Sequence, residues 1–456
     1  MPGIGIVHLG LGAFFRAHGA IYVEEAMAAS GGDWGILGVS LQSPTMRDAL
    51  MPQGGVYTAL ELGPQGEVAR VVTSVQDVLV ATGDPAAVLA RMADPQVRIV
   101  SLTVTEKGYC HEPSTGRLNL NHPDIAHDLT HPLPRSAPGF LVRALALRHR
   151  AGVAPFTVLT CDNLPHNGVL VRGLVLDLAR AIDPALADWI AADGRFPCTM
   201  VDRIVPATQP VDIATVTALT GHHDAAPVVH EPFRQWVIED DFVGGARPDL
   251  GAVGVQMVAD VAPYELMKLR MLNGAHSSLA YLGYLAGHET IADCMADPVF
   301  AGFARLLWSR EIIPAVTAPP GVDLAEYAHA LAARFANPGI RHRTGQIAMD
   351  GSQKLPQRIL GTLDAGLAAG LPMRGLCLAV AGWMQYASGT DEGGQPIDVR
   401  DPLAARFAGL LDPLAFLAVT EVFPHDLAAR LAQPISAAMQ SLREHGARNA
   451  AQRAVT

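Results

Sequence analysis

An apolar strand that leads directly into a glycine turn and then a helix is the feature that most constrains the fold. The strand is predicted over Ile4–Leu9, the turn GLGAFFRAH covers Gly10–His18, and a helical pattern continues to about Ala29. In this order of elements a dinucleotide pyrophosphate can lie on the helix N-terminus. The pattern favours a Rossmann-type beginning to the chain, although a plain tight turn would have the same sequence.

The turn matches the dinucleotide fingerprint G-x-G-x-x-G only in part. Gly10 and Gly12 occupy the first two positions, but Phe15 stands at the third, where glycine normally allows close packing of helix and strand. Arg16 follows and could contact the cofactor phosphates or the substrate, or be a surface residue at the start of the helix. These four residues are the first predicted cofactor contacts.

A second strand, predicted over Gly35–Leu41, should end at the adenosine ribose of the cofactor. NAD enzymes usually place Asp or Glu there to hold the 2′-hydroxyl group, whereas this chain has Gln42. Arg47 is the nearest cation that could meet the 2′-phosphate of NADP. We predict NAD as the cofactor, with Gln42 in its site, and NADP remains an open alternative.

Two further apolar strands end in polar residues. Arg98–Thr105 leads into Glu106, and Phe156–Thr160 leads into CDNLPHNG, which contains Asn163. Open α/β sheets bind ligands at the carboxyl ends of their strands, so Thr105 and Glu106 are predicted cofactor contacts. Asn163 could donate its amide N–H to a reacting oxygen, or could simply form a turn, for which asparagine is common.

A single helix, predicted over Tyr264–His276, is apolar on nearly every side and should therefore be buried. It nevertheless carries Glu265, Lys268, Asn273 and His276, which share roughly 140° of arc at ~100° per residue. Buried ionisable groups cost several kcal/mol unless they are paired or used. Two interpretations stay open at this point, an internal salt bridge with polar neighbours and a catalytic lysine with supporting groups.

Asp202 lies in the apolar run FPCTMVDRIVP and is followed by Arg203. Two interpretations of the Asp202 carboxylate stay open. It could form an internal ion pair with Arg203, or it could face the substrate. The histidines at positions 111, 122, 127 and 131 are scattered through loop sequence, and only His127 and His131 stand four residues apart. We therefore predict no metal site.

Composition restricts the class of protein. The chain has 456 residues, which exceeds one ordinary core, and its net charge of -11 gives no basic surface for nucleic acid or anionic lipid. Five scattered cysteines are typical of a reducing compartment. No leader pattern and no long apolar run without charges or helix breakers is present, so we expect a soluble cytoplasmic protein that binds neither nucleic acid nor membrane.

Together these stretches resemble the polyol-specific long-chain dehydrogenases, the mannitol dehydrogenase family. The segments that carry the resemblance are GLGAFFRAH, SLTVTEKGY, CDNLPHNG, FPCTMVDRIVP, FRQWVIED, KLRMLNGAHS and RHRTGQIAMDGSQKLPQR. The resemblance implies an α/β fold with a Rossmann-type domain over residues 1–262 and a mostly α-helical domain over residues 263–456. It also implies a zinc-independent NAD(P) oxidoreductase that acts on a secondary alcohol of an acyclic sugar derivative, and it favours a monomer.

The resemblance assigns roles to the polar residues. Lys268 would be the general base in oxidation and the general acid in reduction, Asn163 and Asn273 would form an oxyanion hole, and Glu265 would assist proton passage to solvent. His276 and Asp202 would position substrate hydroxyls. These roles agree with the chemistry, because a lysine becomes a base when apolar surroundings bring its pKa down from ~10.4 and amide donors stabilise an oxyanion where zinc is absent.

The substrate should be determined within RHRTGQIAMDGSQKLPQR, which looks like the D-mannonate oxidoreductase (fructuronate reductase) branch. Hexitol-oxidising relatives tend to carry arginine where this chain has Gln346, whereas Arg341, Arg343 and Lys354 could bind a sugar carboxylate. The arginines could instead hold helix ends or pair with Asp350. D-mannonate/D-fructuronate is therefore the predicted substrate pair, with mannitol, sorbitol or arabinitol as alternatives, and a non-catalytic nucleotide-sensing protein as a remote one.

Overall fold

The computed structural model describes residues 2–455. The chain forms two compact units, Met1–Ala262 and Pro263–Thr456. The first unit holds all the strands of the described chain. In chain order they are β1 Ile4–Leu9, β2 Gly35–Ser40, β3 Tyr57–Gly63, β4 Gly66–Val72, β5 Val75–Val80, β6 Ile99–Leu102, β7 His111–Glu112, β8 Arg117–Leu118, β9 Thr157–Thr160, β10 Thr199–Asp202, β11 Val228–His230, β12 Gln235–Glu239 and β13 Gln256–Val258.

The main sheet of the first unit has five parallel strands in the order β5-β2-β1-β6-β9. Val7 and Leu9 of β1 belong to one apolar cluster and Ile6 to another, so apolar side chains cover both faces. A parallel sheet requires this double cover, which explains the nearly continuous apolar runs of its strands. Smaller sheets flank it in the orders β10-β12-β13, β11-β3-β4 and β7-β8.

Helices connect the parallel strands of the first unit. Many begin at a polar cap, as where the Ser136 hydroxyl accepts the N–H of Gly139 at 3.0 Å. The helices are Ala13–Ala17, Gly19–Ser30, Thr45–Leu50, Pro85–Ala93, Thr105–Gly108, Pro123–Thr130, Ala137–Arg150, Asn167–Ile182, Pro184–Asp193 and Pro210–Thr220. Short 3₁₀ turns cover Met51–Gln53, Val243–Gly245 and Leu250–Val253.

The regular secondary structure of the second unit, among its described residues, consists of helices joined by loops. Its α-helices are Ala262–Met267, Ala275–Leu285, Ile291–Ala296, Pro298–Leu306, Leu324–Phe335, Thr344–Ile347, Gly351–Leu355, Gly361–Ala368, Arg374–Ala387, Ala404–Phe407, Pro413–Leu417 and His425–Val455, the last kinked at Gly446. Three π-helical segments, Lys268–Gly274, Leu307–Ile312 and Pro356–Leu360, and one 3₁₀ turn, Ile313–Ala315, complete the set. The helix Arg374–Ala387 packs on His425–Val455 and on Ala275–Leu285.

The predicted fold class, a Rossmann-type α/β domain and a mostly α-helical domain, is confirmed. Two predicted elements are wrong in detail. The first helix is broken at His18, whose backbone leaves the helical region while its imidazole Nε2 contacts the Gln235 carbonyl at 3.0 Å. The helix Tyr264–His276 is π-helical in its centre, over Lys268–Gly274. Among residues 2–455, no helix is long and apolar enough to cross a bilayer.

Candidate functional site

The strand order of the first unit places a topological switch point between β1 and β6. From β1 the chain continues to β2 and β5 on one side of β1 in the sheet, and it then returns to β6 and β9 on the other side of β1. Ligands of open α/β sheets bind beyond the carboxyl ends of the strands at such a point. The residues that follow β1 and β6, Gly10–Gly12 and Thr103–Glu106, are therefore placed together at the edge where a ligand is expected.

Gly10 and Gly12 shape the turn after β1. Gly10 has φ +89°, and a Cβ there would lie 2.2 Å from the Thr103 carbonyl oxygen, so only glycine fits. Gly12 is exposed at the start of the helix Ala13–Ala17, and a Cβ there would have one neighbour, 3.7 Å away. The first N–H groups of this helix lack intrahelical partners. This open backbone is a suitable cradle for a pyrophosphate.

Phe15 and Arg16 do not form part of this open cradle. The Phe15 ring is buried and stacks on the His8 imidazole, with the ring centroids 3.4 Å apart. The Arg16 guanidinium is buried as well, donates to the Ala226 carbonyl and lies 5.2 Å from the centre of the Tyr57 ring. Both residues were predicted as cofactor contacts, and in this structure each side chain packs inside the first unit.

The turn after β6 is held by Asp162, a residue that the sequence did not single out. Its carboxylate accepts the N–H groups of Val104 and Thr105, both at 3.0 Å, and the Tyr109 hydroxyl at 2.7 Å. Thr105 has φ +63°, a left-handed conformation that is rare for a β-branched residue. Burial raises the pKa of Asp162, and its three hydrogen bonds oppose that rise. Backbone strain of this kind often occurs where a ligand binds.

Gln42 lines a cleft of about 310 Å³ beyond the carboxyl ends of β2 and β5. The polar side chains of this adenosine-edge cleft are Gln42, Thr82, Asp124, His127 and Arg135. Its apolar lining consists of Leu41, Ala81, Pro85, Leu133, Pro134 and Phe140. An adenosine group suits this lining, because its flat base can contact the apolar side chains and its ribose can hydrogen bond to the polar ones.

The polar residues after β9 and β10 differ in exposure. Asn163 is exposed, whereas Asn167 is buried and donates its amide N–H to the backbone carbonyls of Asp162 at 2.9 Å and Thr199 at 3.0 Å. Asn167 therefore links the turn after β9 to β10 by hydrogen bonds. Asp202 is the last residue of β10, and only 6% of it is exposed.

In the second unit, the predicted catalytic residues lie on both sides of the transition from α- to π-helix, with Glu265 before it and Lys268, Asn273 and His276 after it. Lys268 and His276 are buried, with 8% and 5% of their surface exposed, and Glu265 and Asn273 are partly exposed. A π-helical segment bonds i to i+5 and is frequent at functional sites, because the wider turn redirects side chains. The local geometry is typical of a functional site.

His276 lies in a cluster with His342, Lys354 and Arg358, called the cationic cluster because Lys354 and Arg358 carry positive charge. Its ring stacks on Phe335 at 4.9 Å between centroids and lies 4.5 Å from the ring of His342. Burial lowers the pKa of His276 well below its usual value, and His342, Arg358, Arg334 and Lys354 lower it further. Burial and Arg358 lower the pKa of His342 to about 4. Both imidazoles are therefore neutral at pH 7.

Lys354 and Arg358 stand one helical turn apart beside these histidines. Lys354 donates to the Met349 carbonyl at 2.6 Å and lies 3.9 Å from Asp350, while Arg358 donates to the Ser277 hydroxyl at 3.1 Å. Burial lowers the pKa of both side chains. Within residues 2–455, Arg358 forms no ion pair with a carboxylate, so the cluster has excess positive charge.

Arg341 and Arg343, which were predicted to contact the substrate, lie outside the cationic cluster. Both side chains are mostly exposed, and both face the Glu289 carboxylate, at 3.4 Å and 3.6 Å. His342, between them, is the residue that enters the cluster. The sequence contained His342 and Arg358 within one motif, but nothing in the motif distinguished these side chains from the exposed Arg341 and Arg343.

Cys110, His122 and Asp124 are brought together in the first unit, with one potential ligand atom from each within 4.8 Å of the others. The His122 Nδ1 atom already accepts the N–H of Asp124 at 3.3 Å, and burial raises the pKa of the Cys110 thiol to about 11. A neutral thiol and an occupied imidazole nitrogen are poor ligands, so we assign no metal here.

Two family models match the chain. The Rossmann domain of mannitol dehydrogenase matches residues 4–251, and the C-terminal domain of mannitol dehydrogenase matches residues 260–443. Among curated proteins, D-mannonate oxidoreductase of Escherichia coli (strain K12) is 48% identical over 97% of this chain and 94% of that protein. Mannitol 2-dehydrogenase of Pyrenophora tritici-repentis is 42% identical over 97% of this chain and 80% of that protein.

Two solved structures of polyol dehydrogenases are also similar to this chain. The mannitol 2-dehydrogenase of Pseudomonas fluorescens, in a ternary complex with NAD and D-mannitol, has a TM-score of 0.84 and 38% identity, and the match covers all of this chain and 94% of that one. A D-sorbitol dehydrogenase in substrate-free form has a TM-score of 0.94 and 35% identity over 98% of this chain and 95% of that one.

Proposed function

The chain belongs to the mannitol dehydrogenase family of oxidoreductases, and from this premise we propose that it interconverts D-mannonate and D-fructuronate with NAD(H). The relative named D-mannonate oxidoreductase, 48% identical over nearly the whole chain, supports this substrate pair. The observation that carries the proposal is the cationic cluster of His276, His342, Lys354 and Arg358 in the second unit, because a sugar acid brings a carboxylate for Arg358, whereas Lys354 already lies near Asp350.

Arg358 is the residue that we assign to the substrate carboxylate. A guanidinium binds a carboxylate through two parallel hydrogen bonds, whereas a neutral polyol offers only single hydroxyl acceptors. A partly buried cation without a counter-ion is unfavourable, and an anionic substrate would relieve that cost. Lys354 adds a second positive charge, and neutral His276 and His342 can hydrogen bond to sugar hydroxyls without adding charge.

Lys268 is our candidate for the general acid and base. In oxidation its amine takes the proton of the reacting hydroxyl while the carbon loses a hydride, and in reduction its ammonium returns that proton to the ketone oxygen. Asn163 and Asn273 supply amide N–H donors for the developing oxyanion. Asp202 and His276 hold hydroxyls of the substrate, and Glu265 passes the proton on to solvent.

The cofactor assigned to the first unit is NAD(H), which when bound accepts or donates the hydride. The glycine turn at Gly10, where a Cβ would fill the space, and the adenosine-edge cleft beside Gln42 fit this group. Thr105 and Glu106 follow β6 at the switch point and remain our candidates for contacts there. The ternary complex of a relative with NAD supports the assignment.

A hexitol substrate is the second candidate. Several relatives named mannitol 2-dehydrogenase are 41–42% identical over 97% of this chain, and the structural neighbours carry the names of mannitol and sorbitol enzymes. Their catalytic chemistry is the same, so only the substrate carboxylate distinguishes the two proposals.

Initial rates with D-fructuronate and with D-fructose, each with NADH, test the substrate. We expect turnover of fructuronate and little of fructose. Arg358→Gln should lower kcat/KM for fructuronate by about 10-fold to 100-fold, because a hydrogen bond to a charged group contributes roughly 1.5–3 kcal/mol. Arg341→Gln, which removes an exposed arginine of the same motif, is the matched control and should change little. Strong activity on fructose with none on fructuronate would reject the sugar acid.

Lys268→Ala tests the mechanism. Turnover should fall by several orders of magnitude, because no other group is assigned to exchange the proton with the reacting oxygen, while binding of NADH to the first unit should stay nearly unchanged. Stopped-assay rates and NADH fluorescence titration measure the two quantities. Turnover close to that of the unchanged protein would remove Lys268 from its role. A chain that binds NADH but turns over no sugar acid or polyol at all would favour the remote alternative, a nucleotide-sensing protein.

A further inference from the structure

The adenosine-edge cleft lies where a Rossmann domain receives the ribose and adenine of its cofactor. Gln42 follows β2 and Thr82 follows β5, and both line the cleft. The Thr82 hydroxyl donates to the Gln42 carbonyl at 3.1 Å, which ties the two loops together. The residue after β2 normally decides whether the ribose carries a hydroxyl or a phosphate at its 2′ position.

Gln42 puts no negative charge at that position. In sites specific for NAD, a carboxylate binds the ribose diol and repels a 2′-phosphate. An amide can still hydrogen bond to the diol but has no charge with which to exclude the phosphate. The element that rejects NADP in such sites is therefore missing from this loop.

Arg135 supplies a cation to the same cleft. Its side chain is exposed, and within residues 2–455 its guanidinium makes neither an ion pair nor a hydrogen bond. Its backbone is fixed, because its N–H donates to the buried Asp128 carboxylate at 2.8 Å, next to the Ser136 N–H at 2.9 Å. Arginine binds phosphate through two parallel hydrogen bonds, and here it projects from an anchored segment.

The other charged residues of the cleft do not cancel Arg135. His127 contacts Asp128 at 3.0 Å and stacks on His131, so its imidazole is already engaged. Asp124 is the opposing charge, and it lies 3.9 Å from His122. Arg47, the cation nearest to Gln42 along the sequence, is exposed and pairs with Asp48 at 2.7 Å. Arg135 is thus the cation that is available to a ligand.

We propose that Arg135 recognises a 2′-phosphate in the adenosine-edge cleft, so that the protein accepts NADP(H) as well as NAD(H). The inference rests on the proposed function only insofar as the ligand is a dinucleotide. It depends on the arrangement of Gln42 and Arg135 in one cleft and not on the identity of the sugar substrate.

Calorimetric titration with two fragments, 2′,5′-ADP and 5′-ADP, tests the inference without any turnover. We expect the unchanged protein to bind 2′,5′-ADP at least as tightly as 5′-ADP. Arg135→Ala should raise the Kd of 2′,5′-ADP about 10-fold and that of 5′-ADP less than 2-fold, and Arg135→Lys should recover part of the loss. Arg47→Ala, the matched control, should change neither value.

Two further results bear on the same point. Asp124→Asn removes the opposing charge and should tighten 2′,5′-ADP binding selectively. If the unchanged protein fails to bind 2′,5′-ADP, or if Arg135→Ala weakens both fragments equally, the inference is overturned. Absence of turnover on every sugar, with the difference between fragments preserved, would reject the proposed reaction and leave the role of Arg135 intact.

Discussion

Asp162 illustrates how one carboxylate can set the geometry of a ligand-binding turn. It holds two consecutive N–H groups and the Tyr109 hydroxyl, and through them the left-handed Thr105. Asp162→Asn replaces one acceptor oxygen with an N–H₂ group that faces a donor. We expect a loss of about 1–3 kcal/mol of stability and a several-fold increase in the Kd of NADH, measured by urea unfolding and by fluorescence titration.

The exposed Asp188 offers the control for this change, since it lies in the helix Pro184–Asp193 of the same unit. Asp188→Asn should alter neither stability nor NADH binding. If Asp162→Asn lowers stability while NADH binding stays unchanged, the turn after β6 does not contact the cofactor.

Single residues were predictable from the sequence where the backbone itself imposes them. Gly10 was identified from the turn motif, and its positive φ and its closeness to Thr103 give the physical reason. Phe15 and Arg16 were not predictable, because the motif gives their order and not whether they point towards the ligand or the core. The same limit applies to Arg341 and Arg358, since exposure depends on packing with distant residues such as Glu289 and Ser277.

At the scale of elements, two π-helical segments of the second unit approach closely at Gly274. A Cβ on Gly274 would lie 2.7 Å from the Arg358 carbonyl oxygen, which belongs to the segment Pro356–Leu360. Gly274→Ala should therefore push the segments apart, at a cost of about 1–3 kcal/mol, and displace Arg358. We expect a lower melting temperature and a raised KM for D-fructuronate.

Gly302 provides the matched control, because it also lies in a helix of the second unit but has only ordinary contacts, at 3.9 Å, for an added methyl group. Gly302→Ala should be neutral or stabilising by up to about 1 kcal/mol, since alanine favours helix. Equal effects of both substitutions would show that the close approach at Gly274 has no special importance.

Helices and strands of the described chain were largely predictable, but π-helical segments and the division of strands among sheets were not. The continuous apolar runs of β1, β2 and β9 indicate buried parallel strands because both faces must be apolar. A π-helical segment such as Lys268–Gly274 has no apolar pattern of its own, since it is inserted in an α-helical one. β11 and β12 are only a few residues apart in the sequence, yet they belong to different sheets, and Pro232 lies between them.

At the scale of the whole molecule, both units contain buried histidines. Burial lowers the pKa of His8, His18 and His230 to about 3 in the first unit. In the second unit it lowers the pKa of His342 to about 4 and that of His276 in the same direction. These side chains stay neutral in the folded protein at a pH where the unfolded chain, with ordinary values near 6.5, is protonated.

Acid should therefore destabilise both units before ordinary carboxylates titrate. Because the folded pKa values lie below the unfolded ones, the stabilisation is complete above about pH 6.5 and is lost as the pH falls towards 4, by up to about 1.4 kcal/mol per pH unit for each histidine. Urea unfolding at pH 7.5, 6.5, 5.5 and 4.5 measures the decline. His342→Gln should make it shallower, whereas His223→Gln, at an exposed loop position, should not. Stability that stays constant between pH 6.5 and 4.5 would mean that these histidines accept protons without unfolding, through access to water that the packed structure does not provide.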